Sequence, residues 1–299
     1  MTDGLPPRAT RPLMAPILVA ALLSACAAPI TQLHQEVPPV KSSKTVVFVH
    51  GMYVTPSCWK EWQPYFESRG FRTLAPAWPE HERPVAEQRQ RHPSAELAAV
   101  RLEDVVQRYR EVIGKLDEKP ILIGHSLGGL VVQLLLQEGL GSVGVAIDSA
   151  PPKGLVSLKW SFLKSNWPVI NPFASAKKPI YLDEAAFAYA FVNTLPADQQ
   201  HAHWLAEVVP ESRRVGKGPT TGAARIDFAR PRPPLLFVAG ERDHIIPPSL
   251  NRKNAERYQK PSITEFKEFP GRDHFIIAEP GWQEVADFVL GWIAKQPTP

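Results

Sequence analysis

The sequence predicts an α/β protein: a mostly parallel sheet flanked by helices, with one helical insertion. Three observations lead there. Short β-branched apolar runs recur along the chain, each followed by a stretch of helical period. The runs are continuously apolar rather than alternating, as befits strands covered on both faces. The rhythm breaks once, over residues 151–232, and then resumes, so core segments 44–150 and 233–299 flank an inserted segment.

The elements follow in order. TVVFV (45–49) is a buried strand ending at His50–Gly51. Residues 56–70 read as an amphipathic helix, with Trp59, Trp62 and Phe66 on one face and Gly70 as the stop. FRTLAP (71–76) is a second strand. Residues 93–116 read as one long helix, capped by Ser94, with Leu97, Val100, Val105, Val106, Tyr109 and Ile113 as its apolar face. PILIG (120–124) is a strand leading straight into a helix from Ser126, and VGVAID (143–148) is the next strand. After the insertion come a strand within 233–247, a helix around 248–259, a strand in 263–271 and a last helix over 281–295.

A parallel sheet binds its ligands beyond the carboxyl ends of its strands. The chemistry-bearing residues of this chain fall there: His50–Gly51–Met52, His125–Ser126, Asp148, Asp243 and His274. Gly124-His125-Ser126-Leu127-Gly128 fits G-x-S-x-G between a strand and a helix, where a serine hydroxyl stands exposed on a sharp turn. Gly124 and Gly128 let strand and helix approach closely. The helix N-terminus adds unpaired N–H groups that favour developing negative charge.

A serine needs a base to become a nucleophile. Of nine histidines, His274 in FPGRDHFII follows the last strand and is the candidate. His125 is Ser126's neighbour, and neighbours around a sharp turn point apart. His50 is expected to shape the loop after the first strand, and His81 and His92, in a polar stretch, to lie at the surface. The carboxylate that orients the base is expected to be Asp243; Asp148 is the alternative, and Asp273 is constrained by adjacency to His274. An oxyanion hole is expected from the backbone N–H groups of Leu127 and Met52, with the Met52 side chain lining the acyl pocket.

The His50–Gly51 pair, the GHSLGG run at 124–129 and the chain order Ser126, Asp243, His274 resemble the α/β-hydrolase superfamily. The likeness is to its serine esterases: lysophospholipases, monoacylglycerol lipases and non-haem haloperoxidase-like esterases. It covers 44–150 and 233–296. The resemblance implies the α/β-hydrolase fold with a lid insertion. It also implies cleavage of a lipid-like or small acyl ester through an acyl-enzyme, without metal or organic cofactor. The same triad serves amidases, thioesterases and perhydrolases, and the fold also serves as a non-catalytic binding scaffold.

Segment 151–232 is expected to form the lid. It is rich in aromatics, among them Trp160, Phe162, Trp167, Phe173, Phe187, Phe191 and Trp204. Most are expected to form the insertion's own core and a few to line an apolar pocket. Arg213 and Arg214 are expected to be an exposed basic pair.

The remaining features bound the setting. The 299 residues carry 34 basic and 30 acidic side chains, interspersed, which gives no stripe suited to nucleic acid. Two cysteines, Cys26 and Cys58, make no disulfide framework. Arg8 and Arg11, the apolar stretch from Leu13 to Leu22 and the run LSAC ending at Cys26 have the layout of a secretory signal. The run resembles a bacterial lipobox, which implies lipidation of Cys26, a tether over 27–43, and an exported, membrane-anchored protein. The alternative is a cytoplasmic enzyme with an apolar N-terminus. Cys58 is expected to pack as a small hydrophobe.

Overall fold

A computed structural model describes residues 43–297. The signal-like segment 1–26, with Cys26, and nearly all of the tether lie outside the described residues. Among those described, no helix is long and apolar enough to cross a membrane.

Six strands form one sheet, all parallel, in the order β2-β1-β3-β4-β5-β6. They are β1 (Thr45–Val49), β2 (Arg72–Leu74), β3 (Ile121–His125), β4 (Val143–Ile147), β5 (Leu235–Gly240) and β6 (Thr264–Phe269). The four central strands are buried along their whole length, which explains their continuously apolar sequences. Successive side chains of a strand point to opposite faces. Val46 and Phe48 of β1 join Ile121 and Ile123 of β3 in one core, while Val47, Val49 and Leu122 join a second core across the sheet. The first core holds Trp59, Trp62 and Phe66, stacked or edge-on around Phe48. Cys58 is buried there, as expected.

The helices are α1 (Trp62–Glu67), α2 (Val85–Gln90), α3 (Ala95–Ala99), α4 (Leu102–Ile113) and α5 (Leu127–Gln137) before the insertion. The insertion carries α6 (Trp160–Ile170), α7 (Glu184–Ala190), α8 (Ala197–Glu207) and α9 (Arg213–Lys217). After it come α10 (Pro248–Glu256) and α11 (Trp282–Ile293). Helix α5 is buried from Leu127 to Leu136, since it lies between the sheet and its neighbours and meets apolar surface all round.

The structure corrects several expectations. The helix expected over 93–116 is two: Val100 and Arg101 are extended, and Asp104 restarts the helix by accepting from the Arg101 N–H at 2.8 Å. The Ser94 cap forms as expected, accepting from the Leu97 N–H. The helix expected over 56–70 is a short 3-10 turn, Pro56–Trp59, followed by α1. His81 is buried rather than at the surface, because Glu211 of the insertion reaches it at 3.3 Å. Arg213 is buried too, donating from Nε to the Ser175 carbonyl, while Arg214 is half-buried. Of the insertion's aromatics, Phe187 and Phe191 belong to the core, but Trp160, Trp167 and Phe173 are exposed.

Candidate active site

The strand ends converge. The turn after β3 places Ser126 at φ 57, the left-handed region, which costs a non-glycine residue about 1–3 kcal/mol. Its surroundings hold it there. The Ser126 N–H donates to the Ile147 carbonyl, and its carbonyl accepts from the N–H groups of Gly129 and Ala150. The flanking glycines are needed for space. A Cβ on Gly124 would run into the Gly128 backbone, and one on Gly128 into the Val49 carbonyl. Strand β1, the elbow and the first turn of α5 therefore touch through bare backbone.

His274 comes from the loop after β6. Its Nε2 lies 3.0 Å from Ser126 Oγ, and its Nδ1 lies 2.7 Å from Asp243 Oδ2. Both histidine and aspartate are fully buried at their side chains. The partners fix the tautomer: Nδ1–H donates to the carboxylate, leaving Nε2 to accept from the serine hydroxyl. Asp243 Oδ1 in turn accepts from the backbone N–H groups of Ile245 and Ile246, at 2.7 and 2.8 Å. Both carboxylate oxygens are thus committed, and the group cannot swing.

The expected loop after β1 is also in place. Gly51 packs so tightly on the elbow that an added Cβ would lie 2.8 Å from Ser126 Cβ. His50 braces this loop. Its Nδ1–H donates to the Gly51 carbonyl at 2.9 Å, and its Nε2 accepts from the Trp78 N–H at 3.2 Å. Burial first, and then the nearby His81, hold the His50 pKa well below the ordinary histidine value, so it stays neutral in this role. Among the described residues, neither the Met52 nor the Leu127 N–H has a protein acceptor. Both residues line the same cavity as Ser126.

The other candidates sort by their partners. Asp148 is buried near His274, but its Oδ1 accepts from the Gly240 N–H at 2.8 Å and it makes no bond to the histidine. Burial, and then the charge of Asp243, push its pKa well above the usual carboxylate range. Asp273 faces away, bonded to the Thr194 hydroxyl and N–H and to the Phe275 N–H. His125 donates from Nε2 to the His274 carbonyl at 2.6 Å, so it supports the His274 backbone and makes no bond to Ser126. His125, Asp148 and His274 bring one ligand-type atom each within 4.8 Å of one another. Both nitrogens of His274 and Nε2 of His125 are already engaged, so the trio reads as part of the hydrogen-bonded chain.

The sequence reading missed the part played by Phe191. Its ring meets His274 edge-on at 5.0 Å, and its carbonyl accepts from the Phe275 N–H at 3.0 Å. The insertion thus touches His274 directly. Nothing in the sequence marks one aromatic among so many for that contact. The cavity above Ser126 has a volume of about 360 Å³ and is mostly apolar. Met52, Leu155, Phe162, Val169, Phe191 and Ile246 are among its walls. Met52 is there as expected.

A serine elbow, a buried histidine–aspartate pair and free backbone donors on a parallel sheet define a class of hydrolytic site. The chain belongs to the alpha/beta hydrolase family, whose model matches residues 46–288. No functionally curated protein matches the sequence. Solved structures share the fold at low identity. A Paleococcus ferrophilus monoacylglycerol lipase is 21% identical over 84% of this chain and 95% of its own, with a TM-score of 0.60. Polyneuridine aldehyde esterase is 20% identical over 84% of this chain and 99% of its own, with a TM-score of 0.58. Tomato methylketone synthase I bound to 2-tridecanone is 18% identical over 86% of this chain and 100% of its own, with a TM-score of 0.62. Family membership supports a hydrolase.

Proposed function

We propose that the protein is a serine hydrolase of carboxylic esters that works through an acyl-enzyme. One observation carries the reading: the unbroken chain from Ser126 Oγ through His274 to Asp243, at 3.0 and 2.7 Å. Ser126 Oγ attacks the ester carbonyl carbon while His274 Nε2 takes its proton. Asp243 accepts the Nδ1–H bond and stabilises the imidazolium. The N–H groups of Met52 and Leu127 receive the oxyanion; each such donor contributes about 3 kcal/mol to the barrier reduction. His274 then hands the proton to the leaving alkoxide. In the second half, His274 deprotonates a water that attacks the acyl carbon, and Ser126 leaves protonated.

The apolar walls favour a hydrocarbon acyl group of modest length. The reading extends to export and anchoring through acylated Cys26, which metabolic labelling with palmitate in a bacterial host tests. The chemistry is tested by a p-nitrophenyl ester chain-length series on wild type and Ser126→Ala. We expect kcat to fall on the order of 10⁵-fold in the variant, and a fluorophosphonate to label the peptide containing Ser126. Activity that survives Ser126→Ala would sink the serine mechanism. Failure with esters alongside turnover of amides or thioesters would move the assignment to those bonds.

A further inference from the structure

Six of the eight large apolar side chains exposed among the described residues lie within the stretch 156–173. They are Val156, Leu158, Trp160, Trp167, Ile170 and Phe173, with Leu158 at 86%, Trp160 at 74% and Phe173 at 93% exposure. Helix α6 shows how they are arranged. Its inner face, Phe162, Ser165, Asn166 and Val169, follows helical spacing and lines the cavity above Ser126. Trp160, Lys164 and Trp167, also at helical spacing, form an exposed stripe. An amphipathic helix over a pocket would be expected to turn charge and amide groups outward. This one turns out tryptophan.

Within the stretch itself the charges have one sign, and acidic residues return only at Asp183 and Glu184, where α7 begins. Residues 151–182 contain five lysines, at 153, 159, 164, 177 and 178, and no aspartate or glutamate, in a chain with 30 acidic residues. All five lysines are exposed, and Lys164 rests its ammonium on the Tyr189 ring. Tryptophan and phenylalanine beside lysine suit the boundary between acyl chains and headgroups: rings enter the boundary, lysine stems lie along it, and ammonium groups reach phosphate. A twofold contact with a second copy would set these lysines against each other. Val156 and Ile170 belong both to the exposed patch and to the cavity wall, so the patch runs to the pocket's mouth.

We propose that the outer surface of α6, with its flanks around Leu158 and Phe173, docks on an anionic phospholipid bilayer. The proposal is independent of the reaction: a chain that hydrolysed no ester would still carry this surface. It is also separate from any attachment through Cys26, because it concerns a different segment.

Hydrogen–deuterium exchange of the full chain, with and without vesicles, reads the segment separately from residues 1–42. We expect amides of 153–178 to exchange more slowly with phosphatidylglycerol-containing vesicles than with pure phosphatidylcholine. Trp160→Ser with Phe173→Ser, and separately Lys159→Glu with Lys164→Glu, should remove that protection. Each pair should lower the vesicle partitioning due to this face at least about tenfold. None of these side chains lines the cavity, so turnover of a short soluble ester should match wild type and report intact folding. Unchanged exchange over 153–178 with anionic vesicles overturns the proposal. Equal protection by neutral vesicles overturns the anionic assignment. Vesicle-free protection that grows with protein concentration, with a dimer in sedimentation, assigns the face to a second copy instead.

Discussion

Asp243 and Asp148 are two buried carboxylates at neighbouring strand ends, close to one histidine. Their hydrogen bonds separate them. Asp243 accepts from His274 on one oxygen and two backbone N–H groups on the other. Asp148 accepts from Gly240, and burial plus the charge of Asp243 favour its neutral form. Asp243→Asn removes the partner that sets the His274 tautomer, and kcat should fall on the order of 10⁴-fold. Asp148→Asn keeps an oxygen for Gly240 and replaces a neutral group with a neutral one, so kcat should change by less than about tenfold. Steady-state kinetics of the two variants check this; equal losses would make Asp148 a partner of His274. The sequence left Asp148 open because both residues follow a strand, and only the distances in space separate them.

At the scale of elements, the elbow is a meeting of three backbones. Gly128→Ala would drive a methyl group into the Val49 carbonyl, and neither strand nor helix can move without disturbing the sheet. The cost should be about 1–3 kcal/mol or more, read as a lowered urea midpoint with unchanged slope. The G-x-S-x-G spacing made this junction legible because steric demand acts on neighbours in sequence. The break at Val100–Arg101 was not legible. Its apolar residues keep a helix-like spacing, and the restart depends on the Asp104 cap, which a periodicity argument does not weigh.

Across the whole molecule, the insertion is tied to the core at two depths. Phe191 packs on His274, and Glu211 pairs with His81 in a buried site. For His81, burial opposes the charged form, but the charge and hydrogen bond of Glu211 outweigh it, and the pKa lies above the ordinary value. A raised histidine pKa contributes stability that is fully present below the unfolded value and is lost as pH rises through the folded one. Thermal unfolding should therefore occur at lower temperature at pH 9 than at pH 6, and His81→Gln should flatten that dependence. The insertion also sets the pocket. Ile170→Trp narrows the cavity mouth and should shift ester preference toward shorter acyl groups, by about tenfold in relative kcat/KM for long chains. A chain-length series on this variant measures the shift.

The order of the strands, the elbow and the meeting of Ser126, His274 and Asp243 beyond the strand ends were legible in the amino-acid sequence. They depend on local constraints: apolar runs where both faces are covered, glycine where backbones touch, and reactive residues at strand ends. What faces the insertion's aromatics was decided only by tertiary structure. Phe187 and Phe191 went into the core, Phe162 to the cavity wall, and Trp160, Trp167 and Phe173 to the outside. His81 and Arg213 went inward because partners distant in sequence receive them. Composition says that a residue can be buried, but burial of a ring or a charge is settled by what the fold brings against it.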